Sequence, residues 1–435
     1  MGLSAPASKA GPPASPEAFA NLHLRRNFLL IVGEAGLFFL GLAFFDGSTV
    51  LPSLLRRLGA SDTLIGFTRL VQVLGFTLPA LWAAHAIHGR RRHLPFLIKG
   101  CWLARSGLFL LPPAILLLAE GQPALLVALF FWVYAQFWFV DGACAISWYD
   151  ITAKAIPARV RGRLFGTMQT LGGLAAVAGA AGVSWALSRR GPDYPANYAV
   201  LAGVWALGAF GSLVLLMLLR EPEGEVDEGP KPSLWEYVRS TLPLIRNNPV
   251  LRRVILARFV LEGSGMAAPF YALYAQDNLG AAASLLGVYV GAKSLGKIGT
   301  GPLWGWVVDR FGPIVGFRLV AVCVALVPAA ALLAGLTGQP MAMVAPFLLM
   351  GAVEDGLWMT SNTSVMAHTS DADRPLAVGA FAVALAPTAA YGPIGGALAQ
   401  AFGYGVAFAA ALAFAAAGCL MALTARAAGG RPSAA

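Results

Sequence analysis

Charged residues are scarce in this sequence. Lys and Arg number 31 and Asp and Glu number 21 in 435 residues, so only 12% of the chain is charged, whereas 58% is hydrophobic. A soluble protein of this length carries roughly a quarter charged residues, and the scarcity excludes that class. Apolar runs long enough to cross a hydrocarbon layer of about 30 Å are numerous instead. The composition therefore predicts an integral membrane protein.

Long polar segments are also rare, and we expect an all-α protein because helices satisfy their own backbone hydrogen bonds in lipid. The predicted spans are 28–50, 64–87, 95–119, 123–148, 165–188, 197–219, 253–275, 284–308, 316–337, 341–366, 377–401 and 404–425. The predicted domains are a disordered tail (1–24), a six-helix bundle (25–220), a cytoplasmic linker with an amphipathic helix (221–250), a second six-helix bundle (251–427) and a short tail (428–435).

Basic residues are rare on one side of the predicted membrane. The loops on the side of both termini hold twenty Lys and Arg residues, whereas the opposite loops hold four: Arg56, Arg57, Arg189 and Arg190. Cytoplasmic loops are enriched in basic residues, which predicts cytoplasmic termini and a multi-pass protein of the inner membrane. The net charge of +10 then reflects topology, and the scattered basic residues do not indicate nucleic-acid binding. We expect a monomer.

Cysteines are few, and no spacing pairs them. Cys101, Cys144, Cys323 and Cys419 all fall within predicted spans, which is typical of small packing residues. His85, His88 and His93 lie at the end of the second span, where an interfacial cationic cluster is favoured over a metal site. No nucleophile–base pair and no phosphate-binding loop is recognisable. We therefore expect no metal, no cofactor and no enzymatic activity.

The two halves of the chain repeat one another. TLIG at 63–66 in the second span matches SLLG at 284–287 in the eighth. Asp141 in the fourth span matches Asp355 in the tenth, and a glycine follows each. A repeat of two six-helix bundles with a site at their interface is an architecture suited to alternating access.

A loop motif connects this repeat to a known family. GWVVDRFG at 305–312 resembles the Gly-x-x-x-Asp-Arg-x-Gly motif of the major facilitator superfamily. The corresponding stretch, AHAIHGRRRH at 84–93, keeps Gly89 and the arginines but has Ala86 where the family usually has Asp. RGRLFG at 161–166 and GPIGG at 392–396 also look like family features. The resemblance covers residues 25–427 and implies the two-bundle transporter fold.

The resemblance also implies a cytoplasmic gate, in which loop ion pairs hold one end of the transporter closed. The residues expected there are Asp309, Arg310, Gly312, Gly89, Arg90, Arg91, Asp150 and Arg161. Such pairs must form in one state and break in another, so they need not contact the substrate.

Acidic residues within the spans fall only in the first, fourth, seventh and tenth. They are Glu34, Asp46, Asp141, Glu262, Glu354 and Asp355. The resemblance implies that these four helices line the central cavity, where carboxyl groups can bind and release protons. All six are candidates for proton coupling, with Glu262 and one of the tenth-span acids as first choices. The alternative is that they neutralise basic residues in structural ion pairs.

Polar and aromatic residues on the same helices predict a substrate cavity. The candidates are Tyr134, Trp138, Trp358, Ser361, Asn362, Arg258, Lys293 and Lys297. Ordinary aromatic packing is the alternative for Tyr134 and Trp138. Neighbours on a helix point about 100° apart, so Glu354 and Asp355 cannot face one spot. We expect Glu354 to face the cavity because it shares a helical face with Trp358.

The sequence predicts a secondary active transporter that moves a small organic molecule by alternating access with proton coupling. Export is favoured over import because an aromatic and acidic lining suits amphipathic or cationic compounds. A sugar or other nutrient permease is the alternative within transport. A lipid scramblase or a receptor on the same fold is the alternative outside it.

Overall fold

A computed structural model describes residues 16–87, 90–224, 243, 245–369 and 374–424, which are helical and joined by short loops and 3₁₀ turns. The α-helices are α1 (Pro16–Phe44), α2 (Val50–Arg57), α3 (Asp62–Ile87), α4 (Leu94–Ser106), α5 (Leu111–Leu118), α6 (Pro123–Ala155), α7 (Ala158–Ala186), α8 (Ala196–Met217), α9 (Pro249–Glu262), α10 (Phe270–Asp277), α11 (Leu285–Phe311), α12 (Pro313–Thr337), α13 (Val344–Ala367), α14 (Arg374–Leu385), α15 (Tyr391–Phe402) and α16 (Tyr404–Thr424). The prediction of an all-α membrane protein is confirmed.

Nine helical stretches among the described residues are long and apolar enough to cross a membrane. The other three predicted spans, 64–87, 253–275 and 284–308, are helical as well. Each contains at least one charged residue, and these include Arg69, Glu262 and Lys293. The full count of twelve membrane crossings therefore stays a prediction.

Three of the predicted spans are interrupted by a 3₁₀ turn. The turns are Gly107–Leu110 between α4 and α5, Gly263–Ala267 between α9 and α10, and Ala386–Ala390 between α14 and α15. Glycine and proline account for these breaks, because glycine lowers helix stability and proline removes a backbone donor. The break in the seventh predicted span begins directly after Glu262, so this residue is the last of α9.

The helices pack as two halves, α1–α8 and α9–α16. In the first half α1 packs on α7 and α8, and α3 packs on α6; in the second, α13 packs on α11 and α12. The halves meet where α7 packs on α11 and where α3 packs on α15, with a smaller contact between α2 and α10. These pairs join the second and fifth predicted spans to the eleventh and eighth, as expected for a parallel repeat.

The two ends of the bundle are distinguished by their loops and helices. We call the end with the arginine-rich loops the basic end, and the end that includes α2 and the start of α3 the far end. Near the far end, the α3 and α15 backbones approach so closely that a Cβ on Gly66 would overlap the carbonyl of Gly392. At the basic end, Gly312 connects α11 to α12 with a φ of +86°, a conformation that favours glycine.

Two predicted boundaries change. Residues 16–24, expected in a disordered tail, form the start of α1, whereas residues 1–15 lie outside the described residues. The expected linker begins with a docked segment, because Glu221 is buried and accepts hydrogen bonds from the backbone of His93 and Leu94. The expected amphipathic helix and the tail 428–435 fall mainly or wholly outside the described residues.

Candidate functional site

A network of charges lies between the two halves, at the depth of the middle of α11 and α13. Lys293 Nζ on α11 lies 3.3 Å from Asp46 Oδ2, which follows α1 in the first half. The same ammonium lies 3.7 Å from Glu354 Oε2 on α13. One turn along α11, Lys297 Nζ lies 3.0 Å from Asp355 Oδ1. The adjacent acids of the tenth span thus meet two different lysines.

Two further contacts of this network cross between the halves. Gln169 on α7 donates a hydrogen bond of 2.9 Å from Nε2 to Asp355 Oδ2. Arg69 on α3 donates one of 2.7 Å to Glu262 Oε2, and the other Glu262 oxygen contacts Arg258 on the preceding turn of α9. Together with the lysine pairs, these contacts place four carboxylates beside four basic groups, so the central network is balanced in charge.

A second cluster lies wholly within the first half. Arg105 Nη2 on α4 lies 3.7 Å from Glu34 Oε1 on α1 and 3.7 Å from Asp141 Oδ1 on α6. Its Nη1 donates a 2.7 Å hydrogen bond to Ser212 on α8, and its guanidinium lies over the ring of Phe38. The Arg105 side chain is only 4% exposed. Two carboxylates therefore share one deeply buried cation.

A third cluster closes the far end. Arg56 on α2 contacts Asp62 at the start of α3 and the hydroxyl of Tyr404 on α16. Arg56 Nε also lies 3.4 Å from Asp277 Oδ2, and the Tyr404 hydroxyl donates to the same oxygen at 2.8 Å. Arg56 and Asp62 belong to one half and Asp277 and Tyr404 to the other. We call these four residues the far-end clamp.

The tenth predicted span presents an open face. The side chain of Glu354 is 51% exposed, against 28% for Asp355. Trp358, one turn further, is 60% exposed, and Asn362 continues this face with its amide donating to the Trp358 carbonyl. Ser361, also predicted to line the cavity, is instead fully buried and donates to the Leu357 carbonyl of its own helix. Its position turns it toward the neighbouring helices.

Two aromatic candidates for the cavity wall are corrected by the structure. Tyr134 and Trp138 are buried, with 3% and 8% of their surfaces exposed. The Tyr134 ring stacks on Phe130 and lies near Trp205. The Trp138 ring packs edge-on against Phe137. They belong to an aromatic core, because their ring partners Phe130, Phe137 and Trp205 all lie in the first half.

Comparisons with known proteins agree with this arrangement of helices. The family model described as Major Facilitator Superfamily matches residues 259–434. A structure of the nucleoside transporter NupG matches with a TM-score of 0.69 at 13% identity, over 92% of this chain and 98% of that one. The family model covers less than half of the chain, and the solved structure shows a shared fold.

Other solved structures share the fold with equally low sequence identity. A D-xylose-proton symporter matches with a TM-score of 0.65 at 14% identity, over 92% of this chain and 98% of that one. A human organic anion transporter matches with a TM-score of 0.61 at 15% identity, over 92% and 99%. No curated protein matches this chain in sequence. The fold is therefore established, and these neighbours do not identify a substrate.

The loop motif that resembles that of the superfamily lies at the basic end. Asp309 and Arg310 are exposed at the end of α11, and Gly312 provides the turn into α12. Arg90 is exposed and Arg91 lies 3.9 Å from Glu223, whereas Gly89 lies outside the described residues. The expectation that these residues form a gate stays a prediction.

The remaining gate candidates bond within the first half. Arg161 donates to the Ala153 and Ile156 carbonyls, which ties the start of α7 to the end of α6. Asp150 Oδ2 lies 2.6 Å from both Lys154 Nζ and His93 Nδ1. In this conformation these side chains stabilise the connection between α6 and its neighbours.

Among the residues that the structure describes, one group brings side chains that can bind a metal ion close together. His93, Asp150 and Glu221 bring one ligand atom each to within 4.8 Å of one another. The Glu221 oxygens already accept hydrogen bonds from the His93 and Leu94 backbone amides, and Lys154 forms an ion pair with Asp150. A bound cation would have to displace these donors, so the group is better explained as the anchor of the linker on α4.

Two features of the structure were not predicted from the sequence. The far-end clamp was not predicted, although Asp62 and Asp277 are the acids that flank the far end of the second and seventh predicted spans. Arg105 was likewise not among the predicted site residues, although it lies within the third predicted span. An arginine in the middle of an apolar run was the available signal, because an intramembrane charge is retained only with partners.

Proposed function

We propose that this protein is a proton-coupled secondary transporter that moves a small organic molecule by alternating access. The observation that carries the proposal is the Arg105 cluster, in which two buried carboxyl groups, Glu34 and Asp141, share one guanidinium. With both carboxyls ionised, the cluster would hold a net negative charge away from water. Such a charge is costly in a protein interior, so one of the two carboxyls holds a proton in this conformation.

The central network supports this choice by contrast. Glu262 lies between two arginines, and the remaining three acids have Lys293 and Lys297 close by. The charges of the central network balance without an added proton. This balance favours structural ion pairs as the role of Glu262 and Asp355. In place of Glu262 and the acids of the tenth span, we therefore assign proton coupling to Glu34 and Asp141. They titrate as a pair, because they share the same cation.

Helix α1 provides a path from the proton site to the interface. Glu34 lies on α1, and Asp46 follows the end of this helix and contacts Lys293 of the other half. The ten residues that follow Glu34 to the end of α1 at Phe44 span about 15 Å at 1.5 Å per residue. A proton gained or lost at Glu34 changes how α1 is held against α4 and α6. The contact between Asp46 and Lys293, which joins the halves, follows the end of the same helix. Protonation of Glu34 and the contact between the halves are therefore mechanically linked.

The direction we propose is export from the cytoplasm. The basic end is the cytoplasmic one by the positive-inside rule, and the exposed face of α13 with Trp358 extends toward that end. The far-end clamp joins the halves on the opposite side. A substrate would thus enter from the cytoplasm in this conformation, and opening of the clamp would release it outside.

The test is transport in proteoliposomes with a trapped pH-sensitive dye. The substrate is the member of a small-molecule panel that most stabilises the purified protein against heat. An imposed pH gradient should drive its accumulation, and Glu34→Gln with Asp141→Asn should abolish that drive. Glu120→Gln, which removes an exposed loop acid, should leave it intact. Undiminished pH-driven transport by the double variant would refute the coupling assignment.

The same experiment separates the alternative functions. A nutrient permease would accumulate its substrate in the opposite direction under the same gradient. A receptor on this fold would bind the compound without any dye response, and a scramblase would redistribute labelled lipid regardless of the gradient.

A further inference from the structure

Glu354 differs from the other charges between the halves in its exposure. About half of its side-chain surface is open, at 51%, whereas the side chains of Asp46 and Glu262 are each only 15% exposed. Its surroundings come from both halves, since Lys293 lies on α11 and Asp46 follows α1. The open carboxylate therefore faces the space between the halves.

Glu354 is also the acid with the weakest protein partner. Its nearest cation is Lys293 at 3.7 Å, and that ammonium lies closer to Asp46 at 3.3 Å. Asp355 accepts from Gln169 at 2.9 Å and pairs with Lys297 at 3.0 Å. The other two acids are similarly occupied, because Asp46 accepts from Ser48 and Thr49 and Glu262 binds two arginines. Glu354 alone among these four keeps most of its capacity to accept a new donor or cation.

An aromatic surface adjoins this carboxylate. Trp358 lies one helical turn from Glu354, about 6 Å along the axis at 1.5 Å per residue, and 60% of its surface is exposed. Asn362 lies one turn further, and its side-chain amide donates a hydrogen bond to the Trp358 carbonyl. Its side-chain oxygen then remains as a second acceptor. A carboxylate, an indole face and an amide oxygen in one line favour positive charge and attract aromatic groups.

We propose that Glu354 and Trp358 form the recognition site for an aromatic organic cation. The inference deepens the proposed function, on which it rests, by naming the class of substrate. The cation pairs with Glu354 while its ring stacks on Trp358, and Lys293 keeps its closer partner Asp46. An anion would meet the open carboxylate directly. A neutral ring would bind Trp358 but gain nothing from the charge.

The test is binding of three probes that share one ring and differ in charge. They are 1-methylnicotinamide (cation), nicotinamide (neutral) and nicotinate (anion), and affinity is read from heat stabilisation of the purified full-length protein. We expect the cation to bind at least about tenfold more tightly than the neutral probe, as an ion pair and a cation–π contact together would give. Nicotinate should bind most weakly.

Two variants assign the preference to its residues. Glu354→Gln should reduce the preference for the cation over nicotinamide to about twofold or less, because the open charge is gone. Asp355→Asn, which alters the neighbouring acid with its own lysine, should retain it. Trp358→Leu should weaken the binding of both 1-methylnicotinamide and nicotinamide. Trp358→Phe, which keeps an aromatic ring, should retain most of the affinity. Because Phe and Leu are both apolar and smaller than Trp, a folding defect would show as a similar loss in both variants.

Three outcomes would overturn the inference: equal binding of cation and neutral probe, tighter binding of nicotinate, or no binding of the cation at millimolar concentration. Retention of the preference in Glu354→Gln would do so as well. Binding needs neither transport nor a proton gradient, so the result is independent of the coupling test. If the cation binds but no pH gradient moves it, the proposed function fails alone. If pH-driven transport holds for an uncharged compound instead, only this inference fails.

Discussion

The Arg105 cluster and the central network contain the same kinds of groups but connect different parts of the molecule. Arg105, Glu34 and Asp141 all belong to the first half, and the arginine is almost completely buried. Lys293 and Arg69 each reach an acid of the opposite half and are 20% and 24% exposed. A cluster within one half stabilises that half in every conformation. A cluster between the halves can exist only in conformations that bring the halves together.

This difference separates two uses of intramembrane charge. Buried charges within a rigid unit make a stable site whose protonation can change. Charges between moving units make contacts that hold one state of the transport cycle. Variants of the two kinds should therefore differ in what they change, with stability affected in the first case and conformational balance in the second.

The largest effect is expected for Arg105→Met, which leaves Glu34 and Asp141 buried without their cation. Removing one partner from a buried ionic group costs about 3–5 kcal/mol of stability. The free energy of unfolding in mild detergent, titrated with a denaturing detergent, should fall by this amount. Adding Glu34→Gln and Asp141→Asn to the variant should recover most of the loss. A loss below about 1 kcal/mol would show that the cluster is already hydrated.

A smaller loss of stability is expected for Glu262→Gln in the central network. Two arginines lose their carboxylate, but Arg69 is partly exposed and can be hydrated in its place. Hydrogen bonds to charged groups contribute about 1.5–3 kcal/mol, so the loss should fall in this range. A double-mutant cycle with Arg69→Gln isolates the bond between the halves. A coupling energy near zero would mean that Arg258 alone holds Glu262.

The far-end clamp should control conformation more than stability. Arg56→Gln removes the side chain that contacts Asp62, Asp277 and Tyr404. Because Arg56 is about a third exposed, at 32%, we expect a shift toward the far-end-open state of about fivefold, or about 1 kcal/mol. Spin labels on Ser61 and Ala282, which are exposed and lie in opposite halves, should report a longer distance population.

Arg57→Gln is the matched control for the clamp. Its guanidinium lies over Tyr194 and near Tyr198, both in the first half. The charge removed is the same and the position is adjacent, but no partner of the second half is lost. The spin-label distances should therefore stay as in the parent protein. If both variants open the far end equally, net charge rather than the clamp controls the state.

The smallest effect is expected for Asp309→Asn at the basic end. The superfamily motif predicts that Asp309 helps to close this end in the alternative state, and its side chain is exposed here. Its loss should favour the conformation described here, with a change of about twofold in the opposite direction to Arg56→Gln. The same spin-label pair measures it. A lengthened far-end distance would contradict a gating role at the basic end.

Part of the site could be predicted because it depends on local periodicity. Glu354, Trp358 and Asn362 lie four residues apart, so their common face followed from the helix alone. Ser361 lies near that face by spacing, yet it is buried. The sequence does not say which side of a helix its neighbours cover. The same limit explains Tyr134 and Trp138, whose aromatic face suits a cavity wall or a core equally well.

The sequence by itself determined the membrane class, the helical fold and its two-part repeat, because the length and composition of apolar runs decide these features locally. The tertiary structure alone decided which cation each acid meets. Arg69 and Glu262 are 193 residues apart, and Lys293 and Asp46 are 247 apart. Partners at such separations are chosen by how the two halves pack. That packing left Glu34 and Asp141 with one arginine, and left Glu354 open.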